Sequence, residues 1–577
     1  AYQMTGDEKY ARAFMEIAED WIDHVPLNEK YAAGPWRSLD TGFRGEYWSK
    51  AIWLFHDSPT LTEAFLQKYY DSMILQAEHI MECHSAYRYM SNWGVIENHG
   101  LFEIGVCLPQ SEKTKQFIAF AVKNLEVQVR MQIMPDGVHW EQSPMYHNEV
   151  LHCLLDVILL AKRNDIALPD VILRQTEKMA MADVAWLKPD HHIVMMGDSD
   201  DVDVRDRISV AAYLFLNPVL RFGGFDRLDY ESIWDLGMKA GEEYAGMERR
   251  KPDFTSLFLE HSGNTYFRSD WSERANFLHL HSGTMGAGHG HSDKLHIDLV
   301  VNGEDVLMDG GRYTYVSGPK RFSYKDPSGH NTITVDDLPF TVCKDSWECS
   351  KLSQPVKENF RCMELAEFAQ AGQLGYMDLP GGVYVNRKVV YIKPDLYVLA
   401  DEMYTGDRHT YQQYFHFNNH GTVTQNAPGE KKFPCVAYRG KMAETDFYFV
   451  SAQVKAELKS GHIARHYNVE EENTVCKVTK QGEGFTSLIT VIDAQPGRPL
   501  SIEKLPVRSA LKQTDYPETM AEALKITAGE KEYVVILCHQ EVNSPTDLVE
   551  VDGCMGYGNV IVFDKAGDVL VGDVLNW

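Results

Sequence analysis

The sequence predicts a multidomain α+β chain in which helices come first and antiparallel β-sheets follow. Apolar residues recur at helical spacing through roughly the first 250 residues. After about Lys251-Pro252-Asp253 the apolar period becomes two. The chain has 577 residues, which at roughly 100–200 residues per domain leaves room for more than one core. The expected division is a helical domain over 1–252 and an antiparallel β-sandwich domain over 253–577.

In the first part, Tyr10, Phe14, Ile17 and Trp21 fall on one helical face, as do Ile118, Val122, Leu125 and Val129. Further helices are expected at about 60–82, 93–107, 147–163 and 168–187, punctuated at Leu108-Pro109, Met134-Pro135-Asp136-Gly137 and Lys188-Pro189-Asp190. Antiparallel helices joined by short loops make an α/α array, whose ridged or toroidal packing periodicity alone does not distinguish. In the second part Leu295, Ile297 and Leu299 alternate with His296 and Asp298 before an Asn302-Gly303 turn. Val389–Ile392 turns at Lys393-Pro394-Asp395 into Leu396–Leu399, and Val560–Phe563 turns at Ala566-Gly567 into Val569–Val571. Repeated hairpins of this kind build a β-sandwich. A binding cleft is expected where the two blocks meet.

Composition narrows the function. Hydrophobic residues at 44% and charged residues at 24% are ordinary globular usage. The 83 acidic against 56 basic residues give a formal charge of −27, which argues against a nucleic acid or an anionic membrane as partner and against a densely sulfated substrate. Ten cysteines are scattered at 83, 107, 153, 343, 349, 362, 435, 476, 538 and 554, without a CxxC pair, so reduced structural thiols are expected. No run approaches the roughly 18 apolar residues of a membrane span; the most apolar stretch, Val150–Ala161, is broken by His152 and Asp156. The chain opens at Ala1 with neither an initiator Met nor a signal-like apolar segment. Its first residue is therefore expected not to be the start of the gene product, which leaves cytoplasmic and periplasmic or secreted locations both open, and oligomeric state is not readable.

The densest chemistry is Gly288-His289-Gly290-His291-Ser292-Asp293, followed by Asp309-Gly310-Gly311 and Gly329-His330-Asn331. On a regular strand His289 and His291 would share a face, with Asp309 arriving one hairpin later. A His/Asp/His set suits Zn²⁺ or a similar divalent ion, with capped or surface histidines as the plainer alternative. The acidic Met195-Met-Gly-Asp-Ser-Asp-Asp201 segment lacks the later Gly and Glu of an EF-hand and is expected to be a structural loop.

These motifs together carry a resemblance. Arg268-Ser-Asp-Trp-Ser, Gly286 to Asp293, Val306-Leu-Met-Asp-Gly-Gly-Arg-Tyr-Thr-Tyr and His330-Asn-Thr-Ile-Thr-Val-Asp resemble the C-terminal domain of the heparinase II/III family of polysaccharide lyases. Trp36-Arg-Ser-Leu-Asp-Thr-Gly-Phe-Arg44, Ser91-Asn-Trp93 and Asp136-Gly-Val-His-Trp-Glu-Gln-Ser-Pro-Met-Tyr-His147 resemble its helical domain. The resemblance implies an incomplete (α/α) toroid followed by β-sandwich sheets, and β-elimination on uronate-containing polysaccharides. Elimination must neutralise the uronate carboxylate, remove the C5 proton and stabilise the departing O4. By resemblance Tyr146 is the proton-transferring tyrosine, His289 the acid/base of the sandwich domain and Asn92 the carboxylate neutraliser. Asn98 and His99 are secondary candidates for substrate binding. Asn92 and Asn98, six residues apart, share the cleft only if part of their segment leaves the helix. Arg44 offers a planar fork to substrate acids, with an inter-helix ion pair as the alternative. The resemblance gives His291, Asp309 and His330 as the metal set, in a supporting role, zinc first with calcium or manganese as alternatives. A bend at Gly290 would then aim His289 away from its neighbour.

The expected substrate is an acidic polysaccharide or oligosaccharide of heparan sulfate or hyaluronan type. The rivals are an alginate or oligoalginate lyase and a non-catalytic glycan-binding protein. A glycoside hydrolase would need two carboxylates, for which Glu97 and Glu141 are the nominees.

Overall fold

In the computed structural model, residues 1–427, 429–565 and 570–576 are described. They divide into two compact units. The first comprises Ala1–Trp140, Met145–Val184 and Val204–Arg250; the second comprises Glu141–Pro144, Ala185–Asp203 and the chain from Lys251 on.

The first unit is helical. Its long helices are Lys9–His24, Ser38–Leu54, Glu63–Cys83, Asn92–Cys107, Glu112–Gln132, Pro144–Arg163 and Asp170–Trp186. Local chemistry sets their starts: Thr62 accepts from Phe65 N–H, and Ser111 and Thr114 form a reciprocal capping box. Asn92–Cys107 is buried on nearly every face, because its apolar residues are spread around the helix rather than gathered in one stripe. Small residues let it close on Ser38–Leu54: a Cβ placed on Gly100 would lie 2.1 Å from the Gly42 carbonyl oxygen. No helix among the described residues is long and apolar enough to cross a membrane.

The second unit is built on antiparallel sheets. Its two longest strands, Leu396–Phe417 and Val469–Asp493, pair from Leu396 opposite Asp493 to Phe417 opposite Thr474. A second sheet holds Leu500–Leu505, Ala521–Ala528, Lys531–Cys538, Val560–Asp564 and Val571–Asn576. The period-two pattern sends alternate residues of one strand into different cores. Tyr397 and Leu399 face one core, while Leu396, Val398 and Ala400 face the other, where Leu524, Val535 and Val562 of the second sheet meet them. The hairpin through Lys393-Pro394-Asp395 forms with Ile392 opposite Leu396. Val560–Asp564 and Val571–Asn576 pair antiparallel, while the turn expected at Ala566-Gly567, with Val569, lies outside the described residues.

Two findings correct the sequence reading. Glu141–Pro144 and Ala185–Asp203, placed within 1–252, belong to the sheet unit. Side-chain bonding explains this: buried Lys188 donates to Asp305 at 2.9 Å, and Asp200 takes a bidentate pair of bonds from Arg312 at 2.7 and 2.8 Å. His289 and His291 do not lie on a regular strand either. They sit in the irregular segment 282–295, ahead of the strand His296–Val301.

Candidate active site and metal-ligand cluster

In the sheet unit, the site is organised by Asp198. Four apolar residues, Ile193 to Met196, are buried and lead this acid into the interior, where it is fully enclosed. Its Oδ2 lies 3.0 Å from His289 Nδ1, its Oδ1 lies 2.9 Å from His291 Nε2, and Arg321 Nη2 approaches Oδ1 at 2.6 Å. Burial opposes ionisation, yet the bonds from His289 and His291 and the Arg321 charge hold the carboxyl well below its usual range. An ionised carboxylate only accepts, so His289 Nδ1 and His291 Nε2 carry the protons. That sets the tautomer each ring has when neutral, with the lone pair on His289 Nε2 or on His291 Nδ1.

A turn ends at Gly290, whose N–H donates to the Ala287 carbonyl at 3.0 Å, and only glycine fits there, since a Cβ would fall 1.6 Å from the Met285 carbonyl oxygen. The two rings on either side of Gly290 differ in exposure. The His291 side chain is wholly buried, whereas that of His289 keeps 12% of its surface and packs edge-on to Trp347 at 5.3 Å.

His291, Asp309 and His330 come together as a buried trio, each offering one ligand atom within 4.8 Å of the others. His330 Nδ1 donates to Asp309 Oδ2 at 2.8 Å. His291 Nδ1 and His330 Nε2 are buried without a hydrogen-bond partner. Two orphaned imidazole nitrogens beside a carboxylate are the donor set a divalent cation requires. Burial lowers the His291 pKa to about 3, so the ring is a neutral ligand. The Asp198 bond to its other nitrogen is the outer contact that orients metal-binding histidines.

The helical unit holds the other predicted residues. Tyr146 lies in the first turn of Pro144–Arg163, half-buried. Next to it His147 is buried; its Nδ1 accepts from His139 N–H at 3.2 Å and its Nε2–H donates to the Met179 carbonyl at 3.1 Å. Burial lowers its pKa to about 3, so a neutral imidazole braces the Tyr146 turn. Asn92 opens Asn92–Cys107 directly after the cap Ser91 and is 3% exposed.

Arg44, Asn98 and His99 are not placed as substrate contacts. Arg44 donates to Gln76 Oε1, the Pro35 carbonyl and Thr41 Oγ1, and lies 4.4 Å from the Trp21 ring centre, so its fork is used in helix packing. Asn98 donates to the Gly94 carbonyl one turn back and to Gln128, and is 1% exposed. His99 is fully buried with Nε2 at 3.1 Å from Glu103 and 3.5 Å from Asp156. The reason is the same for the last two: their helix is enclosed on all sides, and no part of 92–107 leaves the helix to turn Asn98 toward Asn92. Asp198 and Arg321, by contrast, were missed as site residues. The usable signal was the apolar run Ile193 to Met196, which a solvated acidic loop would not carry.

Comparison with known proteins follows the same division. Family profiles described as Heparinase II/III N-terminus and Heparinase II/III-like, C-terminal match residues 1–218 and 252–498. A heparin-sulfate lyase of Pedobacter heparinus is 27% identical over 372 residues, covering 60% of this chain and 52% of that protein. Another, of Bacteroides thetaiotaomicron, is 23% identical over 429 residues, covering 70% and 57%. The chain thus spans about half the length of the curated relatives it matches. A crystal structure of heparinase III superposes with a TM-score of 0.75 at 17% identity, over 93% of this chain and 81% of that one. A mutant heparan sulfate lyase from Pedobacter heparinus gives 0.72 at 21%, with 93% and 81% covered. These likenesses carry the fold class: an incomplete α/α toroid followed by antiparallel β-sandwich sheets.

Proposed function

Because the chain belongs to the heparinase II/III-like family, we propose that it is a polysaccharide lyase. It cleaves a uronate-containing glycosaminoglycan of heparan sulfate or hyaluronan type, or its oligosaccharides, by β-elimination and leaves 4,5-unsaturated uronate ends. The observation that carries this reading is the ionised, enclosed Asp198 fixing the tautomer and direction of a partly exposed His289. Such a pair directs His289 Nε2 for proton exchange with substrate.

The remaining roles are assigned residue by residue. The Tyr146 hydroxyl transfers a proton at the uronate C5 or O4, and the Asn92 amide donates to the uronate carboxylate, which acidifies C5–H. Hydrolysis would instead need a pair of available carboxylates. Glu97, one nominee, is buried against Arg88 at 3.1 Å. The formal charge of −27 favours a lightly sulfated substrate.

For the trio His291, Asp309 and His330 we assign zinc, since two imidazoles and one carboxylate suit it better than calcium, which asks for more oxygen ligands. When bound, the ion supplies a tie between the segments carrying these residues. Asp198 then keeps His289 directed from the side of His291.

The test is to incubate the protein with heparan sulfate, hyaluronan, chondroitin sulfate and alginate while following the ultraviolet absorbance of the new C4–C5 double bond. A rise with heparan sulfate or hyaluronan is expected. New reducing ends without absorbance would mean hydrolysis, and a response to alginate alone would overturn the substrate class.

A further inference from the structure

The hairpin beside His289 carries chemistry that the proposed reaction does not use. Val342–Cys343 and Cys349–Lys351 form a two-stranded sheet with Cys343 directly opposite Cys349. The adjacent pair is the hydrogen-bonding one, with Lys344 N–H donating to the Glu348 carbonyl at 2.8 Å. Cys343 and Cys349 therefore occupy a non-hydrogen-bonded position, where side chains of an antiparallel pair come closest. Their Sγ atoms are 3.4 Å apart. Cα separations of about 4.5 Å at such positions lie within the range a disulfide spans. Both residues are partly accessible.

The turn they close bears Trp347. Asp345 Oδ1 accepts from the Trp347 and Glu348 amides, and Trp347 remains 49% exposed while its ring meets His289. Buried Lys325 binds this turn to the His289 segment, donating to the Gly288 carbonyl at 2.6 Å and the Ser346 carbonyl at 2.9 Å. The bond from Cys343, and the charge of Lys325, lower the Cys349 thiol below its ordinary value, which makes it the readier nucleophile of the pair.

We propose that Cys343 and Cys349, paired across the hairpin that holds Trp347 against His289, are a dithiol oxidised to an internal disulfide by small-molecule disulfides of the glutathione type. The Cys349 thiolate attacks one sulfur of the oxidant, whose S–S bond breaks, and the first glutathione leaves as a thiolate that takes up the Cys343 proton. The Cys343 thiolate then attacks Cys349 Sγ and expels the second thiol. Two protein thiols become one S–S bond while one glutathione disulfide becomes two glutathiones. The product closes the base of the Lys344–Glu348 turn and fixes Trp347 beside His289.

The test uses the full chain equilibrated with glutathione and glutathione disulfide, quenched in acid, alkylated, digested and mapped by mass. Under oxidising ratios Cys343 and Cys349 should lose alkylation together and appear joined to each other. Amide exchange across 344–348 should slow roughly tenfold. In Cys343→Ser, Cys349 should instead retain a bound glutathione, with amide exchange across 344–348 under reducing conditions as in the wild type to show that the hairpin is folded. Full alkylation of both thiols in the wild type at every ratio, or a persistent glutathione on Cys349 with no internal bond, would overturn the proposal. None of these readouts depends on lyase activity, so their failure is separate from failure of the proposed reaction.

Discussion

Replacing Asp198 with Asn tests the centre of the site with almost no change of shape. In the wild type one ionised carboxylate faces Arg321 at 2.6 Å, His291 at 2.9 Å and His289 at 3.0 Å, and the Asp198 and Arg321 side chains are both fully buried. The amide removes the charge and turns one acceptor into a donor. Arg321 is left as a buried cation without its counterion, which costs roughly 3–5 kcal/mol. At about 2–4 °C per kcal/mol for a domain of 150–250 residues, and less for a larger one, the sheet unit should melt roughly 5–15 °C earlier. The –NH₂ group must also face either His289 Nδ1–H or His291 Nε2–H, which forces a ring to change tautomer or turn away. Loss of a positioned acid/base is worth roughly 10²–10⁴-fold, so turnover per folded molecule should fall by that range. Calorimetry gives the first quantity and the ultraviolet assay, corrected for folded protein, the second. A melting point and turnover both equal to wild type would refute the reasoning. Lower stability with unchanged turnover would keep the Arg321 pairing and remove Asp198 from the orientation of His289.

Tyr146→Phe should lower elimination by roughly 10²–10⁴-fold and leave the fold intact, because the half-buried ring is kept; near-wild-type rates would end its assignment. His291→Ala should lose bound metal and thermal stability together, and elemental analysis of the wild type showing no stoichiometric divalent ion would sink the cluster as a metal site. His289→Ala should keep the metal and lose activity, with a penalty that differs between hyaluronan, which contains glucuronate, and an iduronate-rich heparan fraction. A buried network elsewhere gives a pH prediction. His539 lies 2.6 Å from Glu402 and 3.2 Å from Glu522; against burial, those bonds raise its pKa, while Lys388, Lys504 and His539 hold both carboxyls down to about 2. The histidine's contribution is full below an imidazole's ordinary value of about 6.5 and fades as pH rises through its raised folded value. The carboxylates' contribution is full above about 4.3 and fades as pH falls toward their folded values. The melting difference between wild type and His539→Gln should therefore peak near pH 5–6; a difference that keeps growing toward alkaline pH would contradict the network.

Much of this architecture was legible because burial stamped a period on the chain. Tyr10, Phe14 and Trp21 mark the half-buried face of Lys9–His24, although Ile17, expected on the same face, is 70% exposed; Ile297 and Leu299 mark the strand His296–Val301 ahead of a turn at Asn302-Gly303. Periodicity fails where an element is enclosed on every side. Asn98 and His99 look like polar residues available to a ligand, but Gly42 and Gly100 let two helices close over them. Arg44 misled for a different reason: its partners are a backbone carbonyl, an amide and a hydroxyl, and no pattern of charges announces them. The Asp198 pairing was out of reach because it joins residues about ninety positions apart, and only the packed chain brings His289 and His291 to opposite oxygens of one carboxylate.

The strands Leu396–Phe417 and Val469–Asp493 send alternate residues into two different cores. The family match stops at Arg498, so an alignment would suggest that the remaining strands are an appendix that a trimmed variant could lose. They are instead the second half of a bilayer. Without them Leu396, Val398, Ala400, Ile489 and Val491 would form one continuous apolar face on paired strands, a surface of the kind that drives self-association. The segment from Leu500 onward therefore serves as cover: its apolar side chains, Leu524, Val535 and Val562 among them, keep that face from water.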